Sequence, residues 1–197
     1  MDQPAIDEEE AEPRFLLTGP GPGRADAVAA VLAALQPAGL IVGGGLDAAL
    51  LEVSRGHGVA LLVEDEVDLE ADGVHLTDPG RCAEIRAKLD LDPKNRFILG
   101  ADAGLSRHEA MVAGEAGADY IGFGDPGISA DDEVLERVDW WRSITILPCL
   151  AYAEDIATVK KLARLGADFI GVSSAVWKHP DGSVAAAGEM AAAIEKN

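Results

Sequence analysis

The sequence predicts a single-domain α/β protein, a (β/α)8 TIM barrel in a small variant with short loops, and three observations support this. Short apolar runs rich in Val, Ile, Leu and Phe alternate with longer amphipathic segments rich in Ala, Glu and Lys, a pattern typical of βα units around a parallel sheet. Eight such apolar runs follow one another. The 197 residues, 48% of them hydrophobic, are enough to bury one core.

The first half of the chain predicts an acidic tail, residues 1–13, and the beginning of a barrel domain, residues 14–197. Its apolar runs are RFLLT, GLIV, VALLV and GVHL, which predict strands over residues 14–18, 39–42, 59–63 and 73–76. Three helices are predicted here. The first covers residues 25–35, and the second begins after Gly43–Gly45 with Asp47 near its start. The third covers residues 79–89, where proline takes the favoured first-turn position. The acidic segment 64–72 is too short for a full helix.

The second half repeats the same alternation. Its apolar runs are RFILGA, YIGFG, ITILPCLA and FIGVS, which predict strands over residues 96–101, 120–124, 144–151 and 169–173. Helices are predicted over 106–116, 131–141, 154–165 and 185–196. Trp177 is expected to open the last helix, where it covers the barrel mouth or fills an interface in a homo-oligomer; both alternatives stay open.

A doubly wound open sheet is the competing fold. Such a sheet usually has five or six strands and a glycine fingerprint after the first of them. Glycines do follow the first predicted strand, in GPGPGR, but the two prolines fix backbone angles and remove amide donors. The eight strands therefore favour the barrel.

One motif recurs three times, as EADGVHL, GADYIGFG and GADFIGVS, and each copy leads into a predicted strand. Gly117 and Gly166 stand where a helix must stop in a left-handed conformation. Asp119 and Asp168 then enter the strand at the N-terminal rim of the barrel, which favours a structural role, because barrel active sites lie at the opposite rim.

Small residues end two of these strands at that opposite rim. They are Gly124, after the sixth strand, and the pair Ser173 and Ser174, after the eighth. Small residues allow a ligand to approach the backbone, and the amides of a following helix can hold phosphate. We therefore predict that Gly124, Ser173 and Ser174 bind phosphate, although a plain helix cap needs the same geometry at the serines.

The composition limits the partners. A net charge of −19 repels nucleic acid, and no apolar run reaches the length of a membrane span. The N-terminus lacks an apolar signal region, and the two cysteines, Cys82 and Cys149, have no metal-like spacing. We expect buried free thiols, a cytoplasmic location, and a small molecule rather than a nucleic acid or a membrane as partner.

From about Leu61 to the C-terminus, and more faintly over the first two strands, the chain resembles the thiamine phosphate synthases and the related thiazole tautomerases. The resemblance rests on ADGVHL, GADYIGFG and GADFIGVSSAVW in this order and spacing. It implies a (β/α)8 barrel that joins a pyrimidine diphosphate to a thiazole phosphate and releases pyrophosphate, with Mg²⁺. It also implies a dissociative route, in which the departing pyrophosphate must be neutralised by metal and by cationic side chains.

The resemblance implies two metal-binding positions. Asp65 keeps the aspartate of the Asn-Asp pair that family members have after the third strand, while Glu64 replaces the asparagine. At the second position the family's aspartate is replaced by Gly80, and Asp78 stands two residues earlier. Asp65 and Asp78 are therefore the predicted Mg²⁺ ligands.

Most of the family's other working residues are replaced. No basic residue follows the second strand, and Asp102 and Asp125 stand in stretches where the family has neutral or basic groups. After the seventh strand, Ala151, Tyr152 and Ala153 replace a Gly-Gly pair, and the stretch that stays close to intact is Ser173–Ser174. We therefore expect a mouth that is poor in cations and rich in carboxylates; whether these converge on a cation or point to water stays open.

Three functions remain open. The first is a diverged family member that binds a small phosphorylated ligand at the C-terminal rim, with weak or altered transferase activity. The second is a barrel without catalysis that serves as a binding or regulatory protein. The third, a true thiamine phosphate synthase that uses substitute residues, is the least favoured by the residues themselves, because each lost contact to a departing anion costs about 2.7–4 kcal/mol.

Overall fold

The computed structural model describes residues 13–20, 24–89 and 97–194. The strands are β1 Arg14–Thr18, β2 Gly39–Val42, β3 Ala60–Glu64, β4 Gly73–Leu76, β5 Ile98–Asp102, β6 Tyr120–Phe123, β7 Cys149–Tyr152 and β8 Phe169–Val172. The helices are α1 Ala25–Leu35, α2 Ala48–His57, α3 Cys82–Leu89, α4 Arg107–Glu115, α5 Asp132–Ile144, α6 Ile156–Leu165, α7 Ser174–Trp177 and α8 Ser183–Ile194. Among the described residues, no helix combines the length and the apolar character needed to cross a bilayer.

The strands form a closed parallel barrel in sequence order. Each strand pairs with the next, and β8 pairs back to β1, with Phe15 opposite Ile170 and Leu17 opposite Val172. The predicted (β/α)8 barrel is confirmed. Its helices cover the outside of the sheet, and their apolar faces form the main hydrophobic core against the outward-facing strand residues.

The predicted elements agree with the structure in one place and differ in another. In the described chain no helix lies between β3 and β4, in agreement with the prediction from the short acidic segment. The prediction that the seventh strand begins at Ile144 is wrong, because α5 extends through that residue and β7 starts at Cys149, directly after Pro148. Pro148 has no amide to donate to a neighbouring strand.

Two further predictions concern the ends of the chain. The prediction that Trp177 opens the last helix is wrong: Trp177 ends the short helix α7, and α8 begins at Ser183. Its indole nitrogen donates to the carbonyl oxygen of Thr18 at 2.8 Å, which ties α7 to the end of β1. The predicted acidic tail lies, except for Pro13, outside the described residues.

The recurring aspartates brace the N-terminal rim. A carboxylate oxygen of Asp119 accepts the amide of Leu99 at 2.7 Å, and one of Asp168 accepts the amide of Cys149 at 2.9 Å. Asp72, in the third copy of the motif, accepts the amide of Leu61 at 2.9 Å. Each aspartate accepts a hydrogen bond from a backbone amide near the start of the preceding strand. The predicted structural role of Asp119 and Asp168 is therefore confirmed.

A second, smaller core fills the inside of the barrel. Its residues alternate along the strands with the outward-facing ones, as the two-residue period of a strand requires; they are Leu16, Ile41, Leu62, Tyr120, Leu150 and Tyr152. Gly100 on β5 leaves room for the Tyr120 ring, because a Cβ atom at Gly100 would lie 2.0 Å from the ring carbon that carries the hydroxyl. The interior therefore depends on a glycine beside a tyrosine.

Both cysteines are free and buried. Burial raises the pKa of the Cys149 thiol to about 12, and burial also raises the pKa of Cys82. Because the thiolate is the reacting form, we expect neither thiol of the native protein to react quickly with a disulfide reagent near neutral pH. After unfolding, both should react. A fast-reacting thiol in the native protein would contradict the buried positions.

The Gly100–Tyr120 contact predicts a matched pair of substitutions. Gly100→Ala forces the Tyr120 ring to move and should lower the free energy of unfolding by about 1–3 kcal/mol, the usual cost of overpacking. Gly188→Ala, on the exposed face of α8, meets no atom within 4 Å and should raise it by about 0.5–1 kcal/mol. Urea denaturation midpoints measure both. Equal effects of the two substitutions would show that the interior tolerates the added methyl group.

Candidate active site at the C-terminal mouth of the barrel

Parallel pairing brings the C-terminal ends of all the strands to one rim, where the interior of the barrel opens. His75, in the middle of β4, is 1% exposed and points into this interior. Asp102 ends β5, and Tyr152 ends β7. These three side chains meet inside the barrel at its C-terminal end, where the interior opens to the loops.

A hydrogen-bond network joins them with Tyr120. The Tyr120 hydroxyl lies 2.8 Å from Nδ1 of His75, and Nε2 of His75 lies 3.0 Å from a carboxylate oxygen of Asp102. The Tyr152 hydroxyl donates to Asp102, at 3.0 Å from each oxygen. An ionised carboxylate can only accept, so a neutral His75 ring in this position carries its proton on Nε2 and accepts from Tyr120 at Nδ1.

The two tyrosines of the network have raised pKa values. Burial, followed by the nearby carboxylate of Asp102, raises the pKa of both tyrosine hydroxyls. Both phenols therefore stay protonated at neutral pH and act as donors. The contacts on both ring nitrogens hold the His75 ring in one orientation, and the Asp102 carboxylate lies at the centre of the mouth.

A central cavity of about 170 Å³ lies over this network. Its walls come from seven of the strands or the loops after them and include Thr18, Glu64, His75, Tyr152 and Ser173. Thr18 is 6% exposed, and among the described residues its hydroxyl oxygen has no hydrogen-bond partner. A buried hydroxyl beside a cavity is ready to bond a polar ligand.

The end of β3 shows what became of the first predicted metal ligand. Asp65 adopts a positive φ of 57°, and its carboxylate accepts the Thr77 amide at 2.9 Å and the Thr77 hydroxyl. Arg81 donates to the same carboxylate at 3.3 Å and to the Asp65 carbonyl at 3.1 Å. Arg81 therefore reaches the rim from the turn before α3, and the mouth that we expect to be poor in cations has at least this one.

The second predicted metal ligand, Asp78, is exposed, and its carboxylate accepts the Gly80 amide at 2.9 Å. Within residues 13–20, 24–89 and 97–194, no three His, Cys, Asp or Glu side chains are grouped so that they could hold a metal ion. The oxygens of Asp65 are already bonded to Thr77 and Arg81. The described residues thus form no preformed cluster of metal ligands. Because Mg²⁺ bound together with a substrate phosphate needs only one or two carboxylates, the roles of Asp65 and Asp78 as ligands stay predictions.

An outer groove of about 770 Å³ runs along the ends of β4, β5 and β6. It brings Asp78, Asp102 and Asp125 together with Gly124. Gly124 has a φ of 85°, a conformation that favours glycine, and its amide donates to the Gly104 carbonyl at 3.2 Å. Its phosphate-binding role stays a prediction.

The loop between β8 and α7 is the clearest departure from expectation. The Ser173 amide donates to one carboxylate oxygen of Glu154 at 3.0 Å, and the Ala175 amide donates to the other. Burial raises the pKa of the Glu154 carboxyl, against the opposing effect of these two amides and of Lys178. In this structure Glu154 thus bonds amides of the predicted phosphate loop, and the roles of Ser173 and Ser174 stay predictions.

Sequence reasoning missed several residues of this mouth. The alternation of inward and outward residues along β6 and β7 was a usable signal for Tyr120 and Tyr152, since their neighbours at every second position are interior residues. Glu154 gave a weaker signal, an acid two residues past the end of a strand. Arg81 gave none, because its position at the rim depends on the turn before α3.

Comparisons with known proteins identify the family of the chain. The sequence model of the family described as thiamine monophosphate synthase (TMP-TENI) matches residues 46–176. A thiamine-phosphate synthase of Hyphomonas neptunium is 40% identical over 152 residues, 72% of this chain and 67% of that protein. One of Erythrobacter litoralis is 38% identical over 142 residues, 65% of this chain and 64% of that protein.

The fold has a counterpart among solved structures as well. A thiamine phosphate pyrophosphorylase of Pyrococcus furiosus superposes with a TM-score of 0.73 at 22% identity, over 92% of this chain and 95% of that one. At this identity the likeness concerns the fold. The matched part of the chain spans about two thirds of the length of the curated relatives. From the family match and the sequence identities together, the chain belongs to the thiamine monophosphate synthase family.

Proposed function

We propose that the chain is a transferase of the thiamine phosphate synthase type, which acts on a small phosphorylated substrate at the C-terminal mouth. The observation that supports this most is the 40% identity to a protein named thiamine-phosphate synthase. Among the three functions left open by the sequence, the names of the relatives favour the working synthase over a diverged barrel and over one without catalysis. The substitute residues of the mouth then determine the rate of the transfer reaction.

The geometry of the mouth supports a site that can orient a substrate. Hydrogen bonds join Tyr120, His75, Asp102 and Tyr152 in one buried network, which lies below the central cavity and can orient a ligand there. Arg81 and Lys178 are cations near the rim, each beside a carboxylate of the chain. Preorganised groups of this kind contribute to catalysis by positioning, without reorganisation during the reaction.

The same geometry predicts a slow reaction. A departing pyrophosphate needs positive charge, whereas Arg81 is already paired with Asp65 and the Asp102 charge lies at the centre of the mouth. Losing one contact that stabilises a developing anion lowers kcat by a factor of about 10²–10³. The proposal uses no metal-bound step, because the described residues do not form a preformed Mg²⁺ site.

The test is a direct assay with the pyrimidine diphosphate, the thiazole phosphate and Mg²⁺, with the Hyphomonas neptunium protein as the reference. We expect thiamine phosphate to form, with kcat/KM at least about 100-fold below that of the reference, because of the missing contacts. Product should be followed by chromatography, with each substrate omitted in turn as the control.

Three outcomes would contradict this proposal or its expected rate. Equal rates for the two proteins would show that the carboxylates of the mouth do not impede the transfer. No product, together with binding of thiamine phosphate in calorimetry, would favour the binding or regulatory alternative instead. Binding of neither substrate nor product would remove the assignment to this site.

We also keep two coarser proposals. The two buried free thiols and the acidic chain suit the cytoplasm and argue against nucleic acid as a partner. A homo-oligomer remains an open alternative, which size-exclusion chromatography with light scattering decides.

A further inference from the structure

Glu154 is held at the phosphate loop from a different element. It follows β7 by two residues, its own amide donates to the Ser129 hydroxyl at 2.8 Å, and Asp155 caps α6 directly after it. From this fixed backbone its carboxylate reaches across to the β8–α7 loop and bonds the amides of Ser173 and Ala175. Two backbone amides that converge on a carboxylate form the same kind of contact that they would make with a phosphate.

A second observation indicates that a ligand belongs beside this loop. Thr18 lines the central cavity together with Ser173. The side chain of Thr18 faces the interior, because Leu16, two residues earlier on β1, belongs to the interior core. In the part of the chain that the structure describes, the buried Thr18 hydroxyl has no hydrogen-bond partner, and a cavity ligand would supply one.

We infer that Glu154 is a specificity-determining residue, whose carboxylate holds the amides of Ser173 and Ala175 and must leave them before a phosphate binds there. The inference rests on the proposed function in one respect, that the ligand is phosphorylated. Two anions cannot share two donors, because they would repel each other at close range in a partly buried site.

This competition has a quantitative consequence. If the amides are free in a small fraction of the molecules, the apparent dissociation constant of a phosphorylated ligand is raised by the inverse of that fraction. A ligand of the same skeleton without phosphate does not compete with Glu154. The native chain therefore binds phosphorylated ligands at this loop more weakly than a chain without the carboxylate, and loss of the carboxylate removes the competition.

The test uses the full chain, inorganic phosphate as the probe, and amide-resolved NMR. In the wild type we expect the Ser173 and Ala175 amide signals to stay in place as phosphate is added. In Glu154→Ala they should shift and saturate, with an apparent affinity at least about tenfold higher than that of the wild type. Glu154→Gln should be intermediate, since its amide oxygen still accepts one donor without carrying charge.

Glu66→Ala is the matched control. Glu66 is an exposed carboxylate of the loop after β3, so its removal changes the net charge by the same amount at the same rim. It should behave as the wild type. A gain of phosphate binding in Glu66→Ala equal to that in Glu154→Ala would assign the effect to net charge and overturn the inference.

A stability readout covers the folding of the variants. Glu154→Ala leaves two amides without their acceptor and should melt at a lower temperature, and phosphate should restore part of the loss in this variant but not in the wild type. If Glu154→Ala does not fold, Glu154→Gln carries the test. Phosphate shifts in neither variant, or equal shifts in the wild type and the variants, would overturn the inference.

The inference and the proposed function fail separately. The phosphate titration requires no turnover, so positive shifts without product in the transferase assay reject the proposed function alone. Product formation in the assay, with no difference in phosphate binding between the wild type and Glu154→Ala, rejects the role of Glu154 alone.

Discussion

Closure of the sheet, by the pairing of β1 with β8, determines which side chains of this chain can meet. The pairing places the ends of the first and last strands side by side, so that Trp177 donates to the carbonyl of Thr18 across 159 residues of sequence. It also encloses a space with one polar end. Into that end the strands deliver His75, Asp102 and Tyr152, which lie far apart in the sequence and touch one another in the fold. Without closure neither the network nor the central cavity exists.

Three carboxylates of the mouth accept hydrogen bonds from other groups of the chain. Asp65 is bonded by Thr77 and Arg81, Asp102 by His75 and Tyr152, and Glu154 by two backbone amides. Each of these contacts gives a carboxylate oxygen a hydrogen-bond donor from within the chain. An excess of acids in the sequence has two different meanings here. On the outer surface the acidic side chains contribute to solubility. At the mouth they occupy the donors, such as Arg81 and two backbone amides, that could otherwise bind a ligand.

The sequence predicted the frame of the fold more completely than the site. The observed bounds of β1, β2 and β4 are those predicted, because each is an apolar run flanked by glycine, proline or acidic residues. The start of β7 was missed because an apolar stretch around Ile146 looks like a strand, although Ile146 is fully exposed in the loop before β7. Local patterns identify elements well, but they cannot tell an apolar loop from a strand edge when a proline follows.

The site was predicted in part for a related reason. Ser173 was identified from its own surroundings, since small residues after a strand suggest contact with a ligand. The partner that holds its amide, Glu154, is 19 residues earlier and belongs to the neighbouring strand's loop. Contacts between the loops of adjacent strands depend on register and side-chain length, which a single sequence does not encode in any short pattern. Arg81 was missed for the same reason.

The anchoring of Glu154 determines how its contact can open. Tyr152, two residues before it, is 1% exposed and bonded to Asp102, and Asp155, directly after it, is bonded to Ser129 and Thr158. The backbone on both sides of Glu154 is therefore anchored, and we expect the two amides to be released by a rotation of the Glu154 side chain. Side-chain rotations of this kind are fast compared with loop or domain motions. The contact thus opposes a phosphate through its free energy, about 1.5–3 kcal/mol for a hydrogen bond to a charged group, and not through a slow conformational step.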